Sequence, residues 1–335
     1  MNIVYATHPW AFITPGGGER QIENYHKTIN KNSNSDYKIE LFDLFKPNLD
    51  DVDLIHFFGC LPSSLDFISF LKKDCGIPLV ISPNFWPDPE GWAKSGVLSS
   101  IKSILWLADR IIVNSYIEEE ALTRLMGIDH EYISIVNNGV GEVYFKETSP
   151  VFFREKYRIH DKFILNIANV EPRKNQLAFL KALKYFPNLK LITIGNIRDQ
   201  WYYEACVSEA PLQFVYISQV EANSEILASA IAAAEFFAMP SLVETPSIAS
   251  LEAAACGAKI LTTHLGSTSE YFGNYVDYIN PYSIDSMVDG IKNILFRVES
   301  ADLKTHIKNN FEWRQVCSQL TEVYASIKPI HKASC

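Results

Sequence analysis

The sequence predicts an α/β protein built from two successive parallel-sheet units. Short apolar runs alternate with stretches of helical periodicity along the chain, as in proteins with parallel sheets. This alternation stops in a Gly- and Pro-containing stretch over 139–150 and then starts again. The length of 335 residues is enough for two domains with full cores.

The elements follow from these runs in chain order. In the first half, strands are predicted near 3–6, 38–41, 54–57, 79–82, 110–113 and 134–136. The helices between them are predicted near 19–29, 64–73, 98–108 and 117–126. In the second half, strands are predicted near 163–167, 189–194, 214–217, 235–239 and 259–263, with helices near 176–185, 224–233, 248–256 and 283–296. The predicted domains are 1–147 and 148–311, followed by an amphipathic C-terminal helix within 312–335.

Composition excludes several classes of protein. The 47% hydrophobic and 21% charged residues describe a globular chain, and a net charge of -9 argues against a nucleic-acid partner. The six cysteines, at 60, 75, 206, 256, 317 and 335, have no metal-site spacing, which fits a reduced, cytoplasmic protein. The first residues form a strand rather than a leader, and no apolar run reaches membrane-spanning length. Peripheral contact with the inner face of a membrane stays open.

The most informative motif runs over 240–257 and contains two glutamates, Glu244 and Glu252, with seven residues between them. A buried strand ends before it, and Thr245 or Ser247 can cap the helix that follows. Glu244 is expected in a loop beside the helix start, where its replacement would leave the fold intact, and Glu252 inside the helix. Helix N-termini attract phosphate and carboxylates accept bonds from hydroxyls. The motif therefore predicts a site for a phosphorylated, hydroxyl-rich ligand.

Two further motifs suit an anionic ligand. Gly16, Gly17 and Gly18 open the first helix, so their backbone amides can approach an anion closely. Arg173 and Lys174 come directly before Asn175, a candidate helix cap, which places two cations beside another helix start.

These motifs resemble those of the retaining glycosyltransferases with the two-domain GT-B fold, in particular family 4. The resemblance covers nearly the whole chain. It implies two Rossmann-like domains that face a cleft, a nucleotide-binding second domain, and a last helix that crosses back to the first. It also implies that Glu244 contacts the donor sugar and Glu252 the ribose. Catalytic residues would be Glu244, Lys174 and Arg173. The other donor-binding residues would be Gly16, Gly17, Gly18, Asn169, Val220, Thr245, Ser247 and Ile248.

The chain departs from the family pattern at several positions. Asn169 occupies the place of a phosphate-binding Arg, and Asn84 that of a His near the donor sugar. Acceptor-side candidates are His56, Asn84, Phe85 and Trp86, although His56 fits a structural role as well and the two aromatic side chains could instead fill the core. The Asp51-Val52-Asp53 triplet precedes a strand and is interpreted as a solvated turn, so neither a metal nor another cofactor is expected.

The expected activity is transfer of a sugar from a nucleotide-diphosphate sugar to a hydroxyl of a glycan or lipid-linked saccharide, with retention of configuration. Two alternatives remain: a sugar-nucleotide epimerase of the same architecture, which would need acid/base side chains near the sugar, and a catalytically weak binding subunit, suggested by Asn84 and Asn169.

Overall fold

The computed structural model describes residues 1–32, 36–86, 97–298 and 301–327. Contacts between Cα atoms divide the chain into two units. Unit 1 comprises Met1–Asn138 together with Trp313–Cys335, and unit 2 comprises Gly139–Glu312. The chain therefore leaves unit 1, builds all of unit 2, and returns to unit 1 with its last helix. This boundary precedes the predicted junction at 147/148.

Unit 1 contains a six-stranded parallel sheet in the order β2-β1-β3-β4-β5-β6. Its strands are β1 (Asn2–Thr7), β2 (Lys38–Leu41), β3 (Leu54–Phe58), β4 (Leu79–Ser82), β5 (Arg110–Val113) and β6 (Ile133–Ile135). The inner strands are apolar on both faces, as parallel strands covered by helices require, and every residue of β3 and β4 is buried. The helices are α1 (Gly17–Lys31), α2 (Leu65–Ser69), α3 (Val97–Leu105) and α4 (Tyr116–Met126).

Unit 2 repeats this architecture with the sheet order β12-β11-β10-β7-β8-β9. Its strands are β7 (Lys162–Ile167), β8 (Leu189–Ile194), β9 (Phe214–Ile217), β10 (Phe236–Met239), β11 (Ile260–Thr263) and β12 (Asp277–Ile279). Its helices are α5 (Val151–Tyr157), α6 (Gln176–Leu183), α7 (Gln200–Glu209), α8 (Glu225–Ala233), α9 (Ile248–Ala255), α10 (Thr268–Phe272), α11 (Ile284–Phe296) and α12 (Ala301–Asn310).

The last helix, α13 (Trp313–Ala325), packs in unit 1. Trp313 meets the ring of Tyr25 on α1 edge to face, with 5.4 Å between centroids. Farther along α13, the Tyr324 hydroxyl donates to the hydroxyl of Tyr5 on β1 at 3.0 Å and lies 2.7 Å from His56 Nδ1 on β3. The helix is therefore held both by apolar packing and by a buried polar network.

The structure adds elements that the sequence did not predict: β12, α5, α7, α10 and α12. β12 has three residues, two of them half-buried, so it lacks the apolar run that marks a central strand. The helix predicted over 64–73 is also divided, because α2 continues as a π-helical turn over Phe70–Asp74.

Candidate functional site

The loops after β7 and β10 leave the sheet of unit 2 beside one another. From β7 the chain builds β8 and β9 on one side, and then returns past β7 to build β10, β11 and β12 on the other. In open α/β sheets, ligands bind at the carboxyl ends of the strands where the order reverses in this way. The topology therefore predicts a ligand position between loops 168–175 and 240–247.

A buried ion pair joins these two loops. Lys174 Nζ lies 2.6 Å from Glu244 Oε1, and Arg173 Nη1 lies 3.8 Å from the same oxygen. Only 12% of the Lys174 side chain and 5% of the Glu244 side chain are exposed. The structure thus brings together the three residues predicted as catalytic, from positions 70 apart in sequence.

Burial and charge act in opposite directions on the pKa values of this pair. Burial raises the pKa of Glu244, but attraction by Lys174 and Arg173 outweighs it, so the pKa of the carboxyl is lowered. Burial lowers the pKa of Lys174, and the Glu244 charge offsets this only in part. Glu244 is therefore a carboxylate at neutral pH.

The backbone of Glu244 is held by the loop after β11. Glu244 donates its N–H to Leu265 O at 3.3 Å and accepts at its carbonyl from Ser267 N at 2.8 Å. Gly266 lies between these two residues with φ of +93°, and a Cβ there would be 2.0 Å from Glu244 O. Only glycine fits this close approach. The expectation that replacing Glu244 leaves the fold intact is corrected, because the side chain is buried and neutralises a buried lysine.

Four of the remaining donor-binding candidates of unit 2 lie at the start of α9 or within it: Thr245, Ser247, Ile248 and Glu252. Val220 follows β9 instead. Ser247 caps the helix by accepting a bond from Ser250 N at 3.3 Å, which selects Ser247 over the half-buried Thr245 as the cap. Ile248 and Glu252 are buried at 6% and 3% exposure. Val220 packs in the hydrophobic core of unit 2, so its side chain has little surface to offer a ligand.

The charged cluster extends to two residues for which the sequence suggested no role. Glu171 Oε1 lies 3.1 Å from Arg173 Nη2, and Glu171 Oε2 lies 3.6 Å from Arg198 Nη1. Asn169, also on this edge, accepts a bond from Asn196 N at 3.3 Å. Arg198 could have been identified from the sequence as a candidate site residue, because it follows the strand predicted over 189–194 and ligands bind at the carboxyl ends of such strands.

In unit 1, the glycine loop and Asn84 lie together. Gly16 is the N-cap of α1 and donates its N–H to the side chain of Glu19 at 2.6 Å. A Cβ on Gly18 would be 3.2 Å from Asn84 Nδ2, whereas one on Gly17 would meet nothing within 4 Å. Asn84 is exposed and has a φ of 47°.

The other acceptor-side candidates differ in accessibility. His56 has no exposed surface, and its ring nitrogens lie 2.7 Å from the Tyr324 hydroxyl and 2.8 Å from the Ser82 hydroxyl. Burial lowers the pKa of His56 to about 3. His56 is therefore a neutral structural side chain, which corrects its assignment to the acceptor side. Phe85 packs in the core of unit 1, as the alternative interpretation expected, while Trp86 is half-buried.

Among the described residues, no three His, Cys, Asp or Glu side chains are grouped so that they could hold a metal ion. Asp53 comes directly before β3 and accepts a bond from Asn2 N at 2.7 Å, so it lies at the amino end of that strand. No helix in the described part of the chain is long and apolar enough to cross a membrane.

Two family matches cover most of the chain. Residues 11–142 match the family described as Glycosyltransferase Family 4, and residues 151–310 match Glycosyl transferases group 1. The two matches lie in the first and second predicted domains.

Individual relatives are distant. D-inositol 3-phosphate glycosyltransferase of Mycolicibacterium smegmatis is 22% identical over an alignment of 246 positions, which covers 68% of this chain and 55% of that protein. The protein of the same name from Paenarthrobacter aurescens is 25% identical over an alignment of 236 positions, which covers 65% of this chain and 57% of that protein. The chain thus spans little more than half the length of these curated relatives.

Solved structures share the fold. Sucrose-phosphate synthase from Thermosynechococcus elongatus has a TM-score of 0.80 at 15% identity, covering 97% of this chain and 98% of the other. Anabaena Alr3699/HepE in complex with UDP-glucose has a TM-score of 0.80 at 16% identity, covering 98% of this chain and 100% of the other. Together with the two parallel sheets, these similarities identify the GT-B fold.

Proposed function

On the premise that this chain belongs to the GT-B glycosyltransferases, as its fold and both family matches indicate, we propose that it transfers a sugar from a nucleotide-diphosphate sugar to a hydroxyl group. Unit 2 binds the donor. The acceptor is a saccharide or a lipid-linked saccharide, and the anomeric configuration is retained, as the family resemblance implies.

One observation carries this proposal: the Lys174–Glu244 ion pair at the reversal of strand order in unit 2. A buried ion pair stabilises a fold only weakly, because both charges lose their hydration. Its place between the two loops where ligands gather supports a role in binding and chemistry. A cation beside a carboxylate suits a donor that has a diphosphate next to a hydroxylated sugar.

The chemistry requires stabilisation of the leaving group. The bond between the anomeric carbon and the diphosphate breaks with its electron pair on the phosphate oxygen, and the acceptor oxygen forms the new bond to that carbon. The acceptor proton passes to the departing phosphate. Preorganised cations aimed at the developing phosphate charge lower the barrier, and one such donor typically contributes about 3–4 kcal/mol. Lys174 and Arg173 supply this charge, and we propose that no metal ion is required.

A panel of nucleotides tests the proposal. The protein is heated with UDP, GDP, ADP, CDP or dTDP, and its melting temperature is recorded. A diphosphate that binds the folded state raises the melting temperature by mass action. We expect one of the five to do so, and the corresponding nucleotide sugar to release that diphosphate in the presence of the protein.

Other outcomes separate the alternatives. Stabilisation by a diphosphate without transfer or donor hydrolysis would identify a binding subunit. Conversion of the donor into a sugar epimer without an acceptor would identify an epimerase. No stabilisation by any of the five diphosphates would contradict the proposed function.

A further inference from the structure

Arg198 lies at the same edge of unit 2, in the loop that follows β8. Its Nη1 is 3.6 Å from Glu171 Oε2, and Arg173 Nη2 is 3.1 Å from Glu171 Oε1. One carboxylate therefore holds two guanidinium groups, one from the β7 loop and one from the β8 loop. The Arg198 side chain is 35% exposed, so it is accessible to a ligand from solvent.

The backbone of Arg198 is held firmly against the β7 loop. Val170 donates its N–H to Asn196 O at 2.8 Å, and Val170 O accepts from Arg198 N at 3.2 Å and from Asp199 N at 3.3 Å. A Cβ on Gly195 would be 2.2 Å from Ala168 O, so the two loops meet as closely as their backbones allow. Arg198 is thus positioned relative to Arg173 and Lys174 before any ligand arrives.

The charges along this edge form one connected series. In order of contact they are Arg198, Glu171, Arg173, Glu244 and Lys174, and each side chain lies within 4 Å of the next. Three cations thus alternate with two carboxylates along this edge, beside the position where strand order reverses. Cations held at such a position can each contact an oxygen of a multiply charged anion.

We propose that Arg198 is a donor-binding residue that contacts the diphosphate of the nucleotide sugar. This inference rests on the proposed function and adds to it a residue outside the 240–257 and 171–175 motifs. An arginine is suited to this role because its planar fork can bind two phosphate oxygens at once. Arg198 brings this fork to the same edge of the sheet as Asn169, which follows β7. The Asn169 side chain is neutral, and its oxygen accepts a hydrogen bond from the backbone N–H of Asn196.

The test uses the diphosphate, among UDP, GDP, ADP, CDP and dTDP, that most raises the melting temperature of the wild-type protein. It is titrated by calorimetry, at two salt concentrations, into the wild type and into Arg198→Ala, Arg198→Lys and Arg297→Ala. Arg297 is a matched control, since it pairs with Asp277 at 3.0 Å, is 28% exposed, and lies beside the start of β12 at the opposite edge of the sheet.

Arg198→Ala should raise the Kd about tenfold or more, as expected for loss of a charged hydrogen bond, and should weaken its dependence on salt. Arg198→Lys should give an intermediate Kd, and Arg297→Ala a Kd within about twofold of the wild type. If Arg198→Ala does not fold, Arg198→Lys carries the same test.

An unchanged Kd in the folded Arg198 variants would overturn the inference and leave the proposed function intact. A raised Kd with unchanged salt dependence would also overturn it, because the lost contact would then not be one between charges. If no diphosphate stabilises the wild type, the proposed function itself fails, and the inference with it.

Discussion

Glu244 and Lys174 depend on one another because each is a charge removed from water. Their side chains are 5% and 12% exposed, and Arg173 adds a second cation 3.8 Å from the same carboxylate oxygen. A buried charge that loses its partner keeps its desolvation cost without compensation. The two residues therefore combine a structural and a chemical role.

Glu244→Gln should lower the free energy of unfolding by about 3 kcal/mol at pH 7, because it leaves Lys174 buried without its carboxylate. Asp289→Asn is the control, since Asp289 is 69% exposed in its pair with Lys292 and should change stability by less than about 1 kcal/mol. Urea unfolding of both variants gives the comparison. An equal, small loss in the two would contradict the buried pair.

The same pair predicts a dependence on pH. The pKa of Glu244 is lowered from 4.5, so the folded state binds this proton less tightly than the unfolded state does. Its stabilisation is complete above the unfolded pKa and is lost as pH falls through the folded pKa. The stability difference between the wild type and Glu244→Gln should therefore shrink as pH falls below about 5. A difference that does not change down to pH 3 would contradict the lowered pKa.

At the scale of elements, the loops after β7, β10 and β11 position the site. Leu242 N bonds to Arg173 O at 2.9 Å, and the Asn175 side chain donates to Pro240 O at 3.1 Å. The β11 loop then holds Glu244 through Leu265 and Ser267. The catalytic candidates are thus fixed by backbone contacts between loops rather than by one helix.

Gly266→Ala should displace Glu244, because the new Cβ would be 2.0 Å from its carbonyl oxygen. Gly257→Ala is the matched control: φ is +86° there, close to the +93° of Gly266, but a Cβ would meet nothing within 4 Å. We expect Gly257→Ala to cost about 1–2 kcal/mol from backbone strain alone. Gly266→Ala should cost more and should also reduce donor turnover. Equal effects on stability and turnover would contradict the role of Gly266.

The helix α13 is held by the hydroxyl of Tyr324 in the buried network with Tyr5, His56 and Ser82. With Tyr324 donating to Tyr5, the neutral His56 ring donates from Nδ1 to Tyr324 and accepts at Nε2 from Ser82. Tyr324→Phe leaves a buried N–H without an acceptor and should cost about 1–3 kcal/mol of stability. The melting temperatures of Tyr324→Phe and of a control, Tyr282→Phe, give the comparison. Tyr282 is 73% exposed, so its replacement should leave the melting temperature nearly unchanged. No difference between the two would contradict this role.

The sequence predicted the structure correctly where the pattern that determines an element lies within a single segment of the chain. The strands β2, β4, β5, β8 and β9 begin and end at the predicted residues, and the 240–257 motif predicted a helix capped by Thr245 or Ser247, of which Ser247 is the cap. The sequence could not show that Glu244 is buried, or that Glu171 joins Arg173 to Arg198, because these contacts link loops far apart in the chain. His56 was misassigned because the sequence placed it near the carboxyl end of a strand, whereas in the structure it is the central, buried residue of β3.

At the scale of the whole molecule, both units use a six-stranded parallel sheet whose order reverses beside its first strand. In unit 1 the reversal lies between β1 and β3, and in unit 2 between β7 and β10. Each unit thus has its own position for a ligand at the carboxyl edge. A donor in unit 2 and an acceptor in unit 1 is the division of roles that the family resemblance implies.

The proposed transfer activity should persist in excess EDTA, because the proposed diphosphate contacts are the side chains of Lys174, Arg173 and Arg198. The measurement is donor turnover before and after chelation, with Mg²⁺ or Mn²⁺ added back. Loss of turnover in EDTA and rescue by either ion would contradict the proposal that transfer is independent of metal.

In the proposed reaction, the Glu244–Lys174 pair carries sugar transfer from a nucleotide donor. Its most direct test measures nucleoside diphosphate release from UDP-, GDP-, ADP-, CDP- and dTDP-sugars by wild-type protein and by Glu244→Gln, with Asp289→Asn as the control. The wild type should turn over one donor, the control should match it, and folded Glu244→Gln should be slower by roughly a hundredfold or more, as for loss of one charge-stabilising group. Equal turnover by folded Glu244→Gln and the wild type would contradict the claim.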